Sequence, residues 1–233
     1  MRLLKIIRMS KEKDENIDLS EKLSNAEHYV SENRKSLTII GGAIVAVLAI
    51  YFGYRQFIVK PQEENAQKEM YAAERYFGED SVNLAIKGDG SFPGFEEIAE
   101  NYGSSQSGNL AHYYLGISYL RKGEYEKAIE ALKAYDAEDD ITGALALGGI
   151  ANAHWELGHT DDALTYYKKA ADWDKNNFTR PIFLMKEALV YEFNKDFKSS
   201  LALYQEIKKD YPNSAEARDI DKYIGRAEGI LNN

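Results

Sequence analysis

The feature that most restricts the fold is a unit of about 35 residues that recurs in the second half of the chain. Two copies superpose Gly123 on Gly158 and Ala128 on Ala163, in both cases 35 positions apart. A third copy begins at Pro181, 37 residues after the second copy begins. Each copy contains two stretches with helical spacing on either side of a tight turn. Stacked pairs of helices that share one continuous core are therefore predicted.

A period of about 34 to 37 residues with two helices and a turn is the signature of the tetratricopeptide repeat, or TPR. Gly123 and Gly158 are expected to permit the turns, since glycine adopts left-handed backbone angles freely. The third copy has Lys195 where a turn glycine is expected. We predict an all-α fold with three degenerate TPR units over residues 109–212.

The rest of the chain is predicted to be helical on both sides of the repeats. A hydrophilic tail over residues 1–35 precedes a membrane helix over 36–59, and a stalk with pre-repeat helices follows over 60–108. Residues 213–233 are predicted to form a capping helix, which extends over 215–231 with Asn213 as its N-cap.

The membrane helix is predicted from residues 37–54, LTIIGGAIVAVLAIYFGY, which contain no charge over 18 positions. As a helix this stretch is about 27 Å long, close to the thickness of a bilayer's hydrocarbon core. Arg34 and Lys35 flank one end, and Tyr51 and Tyr54 mark the other as an interfacial belt. A cleaved signal peptide is disfavoured because 36 residues precede the stretch and no small-x-small pattern follows it.

The orientation of this helix is less sharply determined. Within 20 residues of the span, each side carries three basic residues, but the whole 36-residue tail contains eight Lys and Arg. Because the positive-inside rule applies to short tails, we expect the tail in the cytoplasm and the domain on the other side of the membrane. Met9 begins a hydrophilic sequence and is an alternative start to Met1.

Small residues fall on one face of the predicted span at steps of 4, 3 and 4. Such a face lets a second helix approach closely in lipid, where packing drives association. The face predicts a helical partner in the membrane, although glycine and alanine are also common in membrane helices generally. It consists of Gly42, Ala46, Ala49 and Gly53.

Charge and composition exclude several functions. Residues 62–233 carry 19 Lys and Arg against 31 Asp and Glu, so the domain would be repelled by nucleic acid. The chain has no cysteine, which excludes disulfides, iron-sulfur clusters and cysteine nucleophiles. It contains no phosphate-binding loop, dinucleotide fingerprint or serine nucleophile motif. We therefore expect no enzyme and no cofactor.

His154 and His159 lie near Asp161 and Asp162 and invite comparison with a metal site. We expect the turn at Gly158 to separate the two rings and no further ligand to join them. The sequence therefore predicts a packed His154, a solvated His159 and no metal.

The partner-binding surface is predicted from the usual TPR arrangement, in which the first helix of each repeat lines the concave side. The inward positions are mostly apolar, which favours an apolar or amphipathic partner segment over a terminal carboxylate. Alternatively, the C-terminal helix folds back and fills this surface, which would bury Trp155. The predicted groove residues are Tyr113, Ile117, Leu120, Arg121, Asn152, Trp155, Met185, Leu189 and Phe193, with Gly148, Glu156 and Glu192 beside them.

The order of tail, span, stalk and repeats, with GFEEIAENYGSSQSGNLAHYYLG over residues 94–116, resembles the YfgM-like family of bacterial inner-membrane TPR proteins. The resemblance covers roughly residues 36–231. It implies a periplasmic domain, association with SecYEG-like subunits of the Sec translocon, and a PpiD-like membrane-anchored chaperone as partner. A structural scaffold or tether for cell division or envelope assembly would have the same sequence features and stays open.

Overall fold

The computed structural model describes residues 28–232 of the chain. Most of the predicted tail, together with the choice between Met1 and Met9 as the start, lies outside the described residues. Contacts within the chain divide it into two compact units, which are Met1–Ile58 and Val59–Asn233.

The first unit contains helix α1, Arg34–Tyr54, which leads into a π-helical turn at Arg55–Val59. No residue of α1 is buried, and from Leu37 onward its exposed side chains are almost all apolar. Within the part of the chain that the structure describes, one helical segment, Arg34–Gly78, is long and apolar enough to cross a membrane. Its length and composition agree with the predicted span.

The second unit is built from helices joined by short turns, which confirms the predicted all-α class. In chain order they are α2 (Lys60–Gly78), α3 (Val82–Lys87), α4 (Phe95–Tyr102), α5 (Gln106–Lys122), α6 (Tyr125–Ala134), α7 (Asp140–Glu156), α8 (Thr160–Asp172), α9 (Thr179–Phe193), α10 (Phe197–Asp210) and α11 (Ile220–Leu231).

Helices α5 to α10 form the three predicted antiparallel pairs, and each pair packs on the next. The turn inside each pair contains one residue with left-handed backbone angles. Gly123 and Gly158 have φ values of 80° and 77°, and Lys195 has a φ of 64°. The third turn thus has the same backbone geometry as the other two, although it lacks the glycine that adopts left-handed angles without steric strain.

The core lies between the paired helices, where small residues allow close crossing. Ala128 and Ala163 are fully buried, and Gly116 lies against the Leu132 side chain. Helices α2 to α4 extend this core at the N-terminal end, where the Phe95 ring stacks on Tyr114 of α5 at 5.1 Å. The stalk and pre-repeat helices are therefore part of the same folded unit as repeat one.

The final helix begins later than the sequence predicted. Helix α11 starts at Ile220, and residues 213–219 form turns, so the prediction of Asn213 as an N-cap was wrong. The Ser214 Oγ accepts the Ala217 N–H, and the Arg218 N–H donates to the Ala215 carbonyl three residues back. These short-range hydrogen bonds pair backbone groups of this segment within successive turns. The helix therefore begins five residues later than predicted.

Candidate functional site

A groove lies between the first helices of repeats two and three. It encloses a cavity of about 450 Å³, a size that accommodates several side chains of a partner. Helices α7, α8 and α9 supply its walls, and we call it the Trp155 groove. Its lining residues are Asn152, Trp155, Glu156, Tyr167, Lys186, Leu189 and Val190.

The apolar part of the Trp155 groove is exposed to solvent. Trp155 is partly exposed, and Leu189 and Phe193 have exposed fractions of 41% and 66%. The Phe193 ring meets the Trp155 ring edge-on, with 5.0 Å between the ring centroids. An aromatic pair of this kind is a rigid apolar surface that a partner side chain can cover.

The polar part of the groove centres on Asn152. Its Oδ1 accepts hydrogen bonds from the Tyr167 hydroxyl at 2.8 Å and from Lys186 Nζ at 3.2 Å. Lys186 pairs with no carboxylate within the described part of the chain. Burial lowers the pKa of the Lys186 ammonium. A half-buried cation with no acidic partner provides a donor for an acceptor group on a bound segment.

Lys186 was absent from the predicted groove residues. It precedes Leu189 by three residues and Phe193 by seven, a spacing that places all three on one face of a helix. That spacing was available in the sequence and could have identified Lys186 as a groove residue.

The other predicted groove residues do not all join this surface. Tyr113, Ile117 and Leu120 pack between repeats one and two, where they contact the cluster around Leu132 and Ile150. Met185 packs against the core of repeats two and three, and Gly148 is buried.

Arg121 points toward the pre-repeat helices. Its guanidinium lies over the Phe77 ring at 3.9 Å, donates to the Phe77 carbonyl, and approaches Asp80 at 3.6 Å. The predicted set therefore divides among a groove, an interface between repeats and a contact with α2.

The C-terminal helix packs on α10 and contributes no residue to the lining of the Trp155 groove. Arg226 of α11 forms an ion pair with Glu192, which attaches α11 to the end of α9. The final helix thus covers the open end of the third repeat, and the groove beside Trp155 stays open.

The small residues of α1 lie on the surface of the described chain. A side-chain atom added at Gly42 or Gly53 would meet nothing within 4 Å, and Ala46 and Ala49 are also exposed. Among the described residues, none covers this face.

The two histidines at the turn of repeat two lie closer together than the sequence predicted. The rings of His154 and His159 are 5.9 Å apart, and Asp162 Oδ2 lies 3.7 Å from His154 Nδ1. The expectation that the Gly158 turn separates the rings was wrong. In this turn the N–H of Gly158 donates to the Trp155 carbonyl and that of His159 donates to the His154 carbonyl, which folds His159 back over His154.

Glu187 is a buried acid that lines none of these surfaces. Glu187 of α9 is only 5% exposed, and burial raises the pKa of its carboxyl to about 7. Nearby Arg180 is engaged by Asp172 and Glu206 and forms no ion pair with Glu187. Below about pH 7, Glu187 therefore favours its protonated form in the folded chain.

Comparison with protein-family models gives three adjoining matches, each described as a tetratricopeptide repeat. They cover residues 95–140, 144–177 and 183–214. The first match begins at helix α4, ahead of the predicted start of the repeats at residue 109. The described part of the chain therefore carries tetratricopeptide repeats in an all-helical solenoid, and such repeats suggest a protein-protein interaction adaptor.

Among curated proteins, the chain is similar to tetratricopeptide repeat protein 29 of Macaca fascicularis and of Homo sapiens. The identities are 33% and 32% over 87 residues. These matches cover 35% of this chain and 18% of the relatives, so the chain spans less than a fifth of their length.

Two crystal structures of nearly identical TPR-like repeats from Podosopora anserina have the same fold. The TM-score is 0.55 at 14% identity, over 72% of this chain and 87% of the repeat protein.

Proposed function

We propose that this chain is a membrane-anchored TPR adaptor that binds other proteins through the Trp155 groove. In this proposal residues 36–59 span the bacterial inner membrane once, the N-terminus is cytoplasmic, and the repeats face the periplasm. The chain serves as an ancillary subunit of the Sec translocon, linked to a membrane-anchored periplasmic chaperone.

The observation that carries the binding function is the exposed Trp155–Phe193 pair beside the half-buried Lys186. Tryptophan is among the residues that contribute most to binding when a partner buries it. The edge-on contact holds the two rings in place, so little conformational entropy is lost when a partner covers them.

The groove's lining specifies the chemistry of the bound segment. Apolar side chains of the partner would cover Trp155, Leu189 and Phe193, and an oxygen acceptor would take the Lys186 donor. An amphipathic helix or an extended segment with one acceptor at the edge of its apolar face satisfies both parts. The domain's excess of acidic residues disfavours a strongly acidic partner.

The membrane and secretion part of the proposal has separate support. The apolar segment within Arg34–Gly78 has the length and composition of a membrane helix. The order of span, stalk and repeats, with the segment over residues 94–116, resembles the YfgM-like family. The proposal that the Sec translocon and the chaperone are partners rests on that resemblance alone.

Copurification from solubilised inner membranes tests the proposal. The full chain, carrying a small affinity tag at its C-terminus, is purified in a mild detergent and its partners are identified by mass spectrometry. We expect Sec subunits and a membrane-anchored chaperone in stoichiometric amounts. Recovery of division or envelope-assembly proteins without Sec subunits would instead support a structural scaffold, and would contradict the secretion role.

A further inference from the structure

The turn of repeat two brings together three side chains that are ligands of metal ions in many proteins. One ligand atom from each of His154, His159 and Asp162 lies within 4.8 Å of the other two. We propose that these three residues bind a single divalent transition metal ion, and that this ion is Zn²⁺. The proposal is independent of the Trp155 groove and of the membrane topology.

The backbone fixes the first two ligands relative to each other. His154 lies in the last turn of α7, and His159 directly follows the left-handed Gly158. The paired hydrogen bonds from the N–H groups of Gly158 and His159 to the end of α7 form a Schellman motif. This motif brings the side chain of His159 against that of His154. Convergence of the two imidazoles is thus a property of a rigid turn.

Asp162 joins them because it lies three residues after His159, in the first turn of α8. Residues at this spacing are neighbours on a helix surface. Its carboxylate oxygen lies 3.7 Å from His154 Nδ1, a separation that a metal ion between the two atoms would need to shorten only slightly.

The equivalent positions hold contacting side chains in the other two repeats as well. In repeat one they hold Tyr119, Glu124 and Lys127, and Lys127 Nζ donates to Glu124 at 2.6 Å and lies 5.3 Å from the Tyr119 ring centroid.

In repeat three these positions hold Tyr191, Asp196 and Ser199. The Ser199 Oγ donates to the Asp196 carboxylate at 2.6 Å. In repeats one and three the side chains at the second and third of these positions are thus in contact, as an ion pair and as a capping bond respectively. In repeat two all three residues are of metal-binding type.

The ring nitrogens of His154 lack a hydrogen-bond partner among the described residues, and a metal ion would provide one ligand bond. Both ring nitrogens are buried, and neither makes a hydrogen bond to any residue that the structure describes. Tyr166 stacks on one face of the ring at 5.4 Å, which restricts its rotation. Buried ring nitrogens without a hydrogen bond lower the stability of the fold, and coordination at Nδ1 would recover part of that loss.

The donor atoms select the kind of ion. Two imidazole nitrogens and one carboxylate oxygen suit borderline ions such as Zn²⁺, whereas Mg²⁺ and Ca²⁺ prefer oxygen ligands throughout. Three protein ligands leave the fourth position of a tetrahedral zinc ion to water or to a donor from a partner.

Calorimetric titration of the full chain in detergent micelles with ZnCl₂ tests the site. The protein carries an affinity tag free of histidine, so that the tag cannot bind the ion. We expect one Zn²⁺ per chain, and a thermal unfolding midpoint that rises until one equivalent has been added. Absence of a one-to-one binding event would overturn the proposal.

Exposed ligands provide the decisive variants, because changing them leaves the core intact. His159→Gln and Asp162→Asn should each weaken Zn²⁺ binding by roughly tenfold or more. Asp161→Asn is the matched control, since this neighbouring acid on the same helical turn is outside the cluster and its loss should change nothing.

Two further controls exclude other sources of binding. His28→Gln removes an exposed histidine of the first unit and should leave the affinity unchanged, and excess MgCl₂ should not compete. Binding that survives both His159→Gln and Asp162→Asn would show that the ion lies elsewhere and would overturn the assignment. Loss of binding on His28→Gln alone would overturn it equally.

Discussion

The ring of Phe183 lies directly against the backbone of Gly148, so close that a Cβ atom added to this glycine would overlap the ring. Phe183 is only 3% exposed and belongs to the core of repeats two and three. The contact holds the first helices of these repeats at the separation that leaves the Trp155 groove open between them.

Replacement of Gly148 by alanine should therefore destabilise the domain by about 1–3 kcal/mol, the cost of overpacking a filled core. Gly225→Ala in α11 is the control, because nothing lies within 4 Å of its added atom and alanine favours helix. That change should be neutral or stabilise by about 0.5–1 kcal/mol. Urea unfolding of the full chain in micelles measures both, and equal effects of the two variants would contradict the packing argument.

The carboxyl of Glu187 should make stability depend on pH. Its pKa is about 7 in the folded chain and near 4.5 when unfolded. Below pH 4.5 the carboxyl is protonated in both the folded and the unfolded chain. Its ionisation therefore does not affect the free energy of unfolding in this range. Between pH 4.5 and 7 only the unfolded chain loses the proton, and the free energy of unfolding falls by roughly 3 kcal/mol in total.

Glu187→Gln should remove most of this decrease, because an amide has no proton to lose. Urea unfolding at pH 5, 6, 7 and 8 measures the effect, with the exposed Glu126→Gln as a control that keeps the wild-type slope. A slope in Glu187→Gln as steep as that of the wild type would show that another group is responsible.

Truncation of Trp155 should strongly weaken partner binding without unfolding the domain. A partly exposed aromatic at the centre of an interface typically contributes about 2 kcal/mol or more, or roughly a thirtyfold change in affinity. Trp155→Ala should therefore lose its copurified partner and keep a nearly normal melting temperature. Trp173→Ala is the matched control, since Trp173 is 46% exposed and lies outside the Trp155 groove. A large fall in melting temperature with partner binding intact would refute the groove assignment.

The small face of α1 should contact a helix in the membrane. Joint replacement of Gly42, Ala46 and Gly53 by leucine should preserve insertion, since leucine is apolar and nothing in the described chain crowds the two glycines. Association with membrane partners should weaken, because bulkier residues prevent close helix approach. Quantitative copurification compares this variant with one bearing three leucines on the opposite face. An unchanged yield of partner would show that the small residues are ordinary composition.

The soluble domain is expected to lie on the periplasmic side of the membrane. Protease added to spheroplasts should digest residues 62–233, and protease added to inverted inner-membrane vesicles should leave them intact. A cytoplasmic protein serves as the control for vesicle integrity. Digestion from the cytoplasmic side would contradict the periplasmic adaptor role while leaving the TPR fold unaffected.

Much of the fold could be predicted because local rules determine it. The period of about 35 residues, the helical spacing and the turn glycines identified the three helix pairs, and uncharged residues 37–54 identified the long apolar helix. The error at the C-terminus was also local. Residues 213–219 form turns through Ser214, and a capping motif read from the sequence could not reveal which of two local hydrogen-bond patterns prevails.

The candidate sites depended on which side chains different helices bring together. The sequence alone determined that Trp155, Leu189 and Phe193 lie on first helices, since this follows from period and spacing. Only the tertiary structure decided that Arg121 contacts the Phe77 ring, that Lys186 reaches Asn152, and that His159 folds back over His154. These contacts follow from how paired helices cross and how a turn closes, because packing between elements, unlike helical periodicity, is set by residues far apart in the sequence.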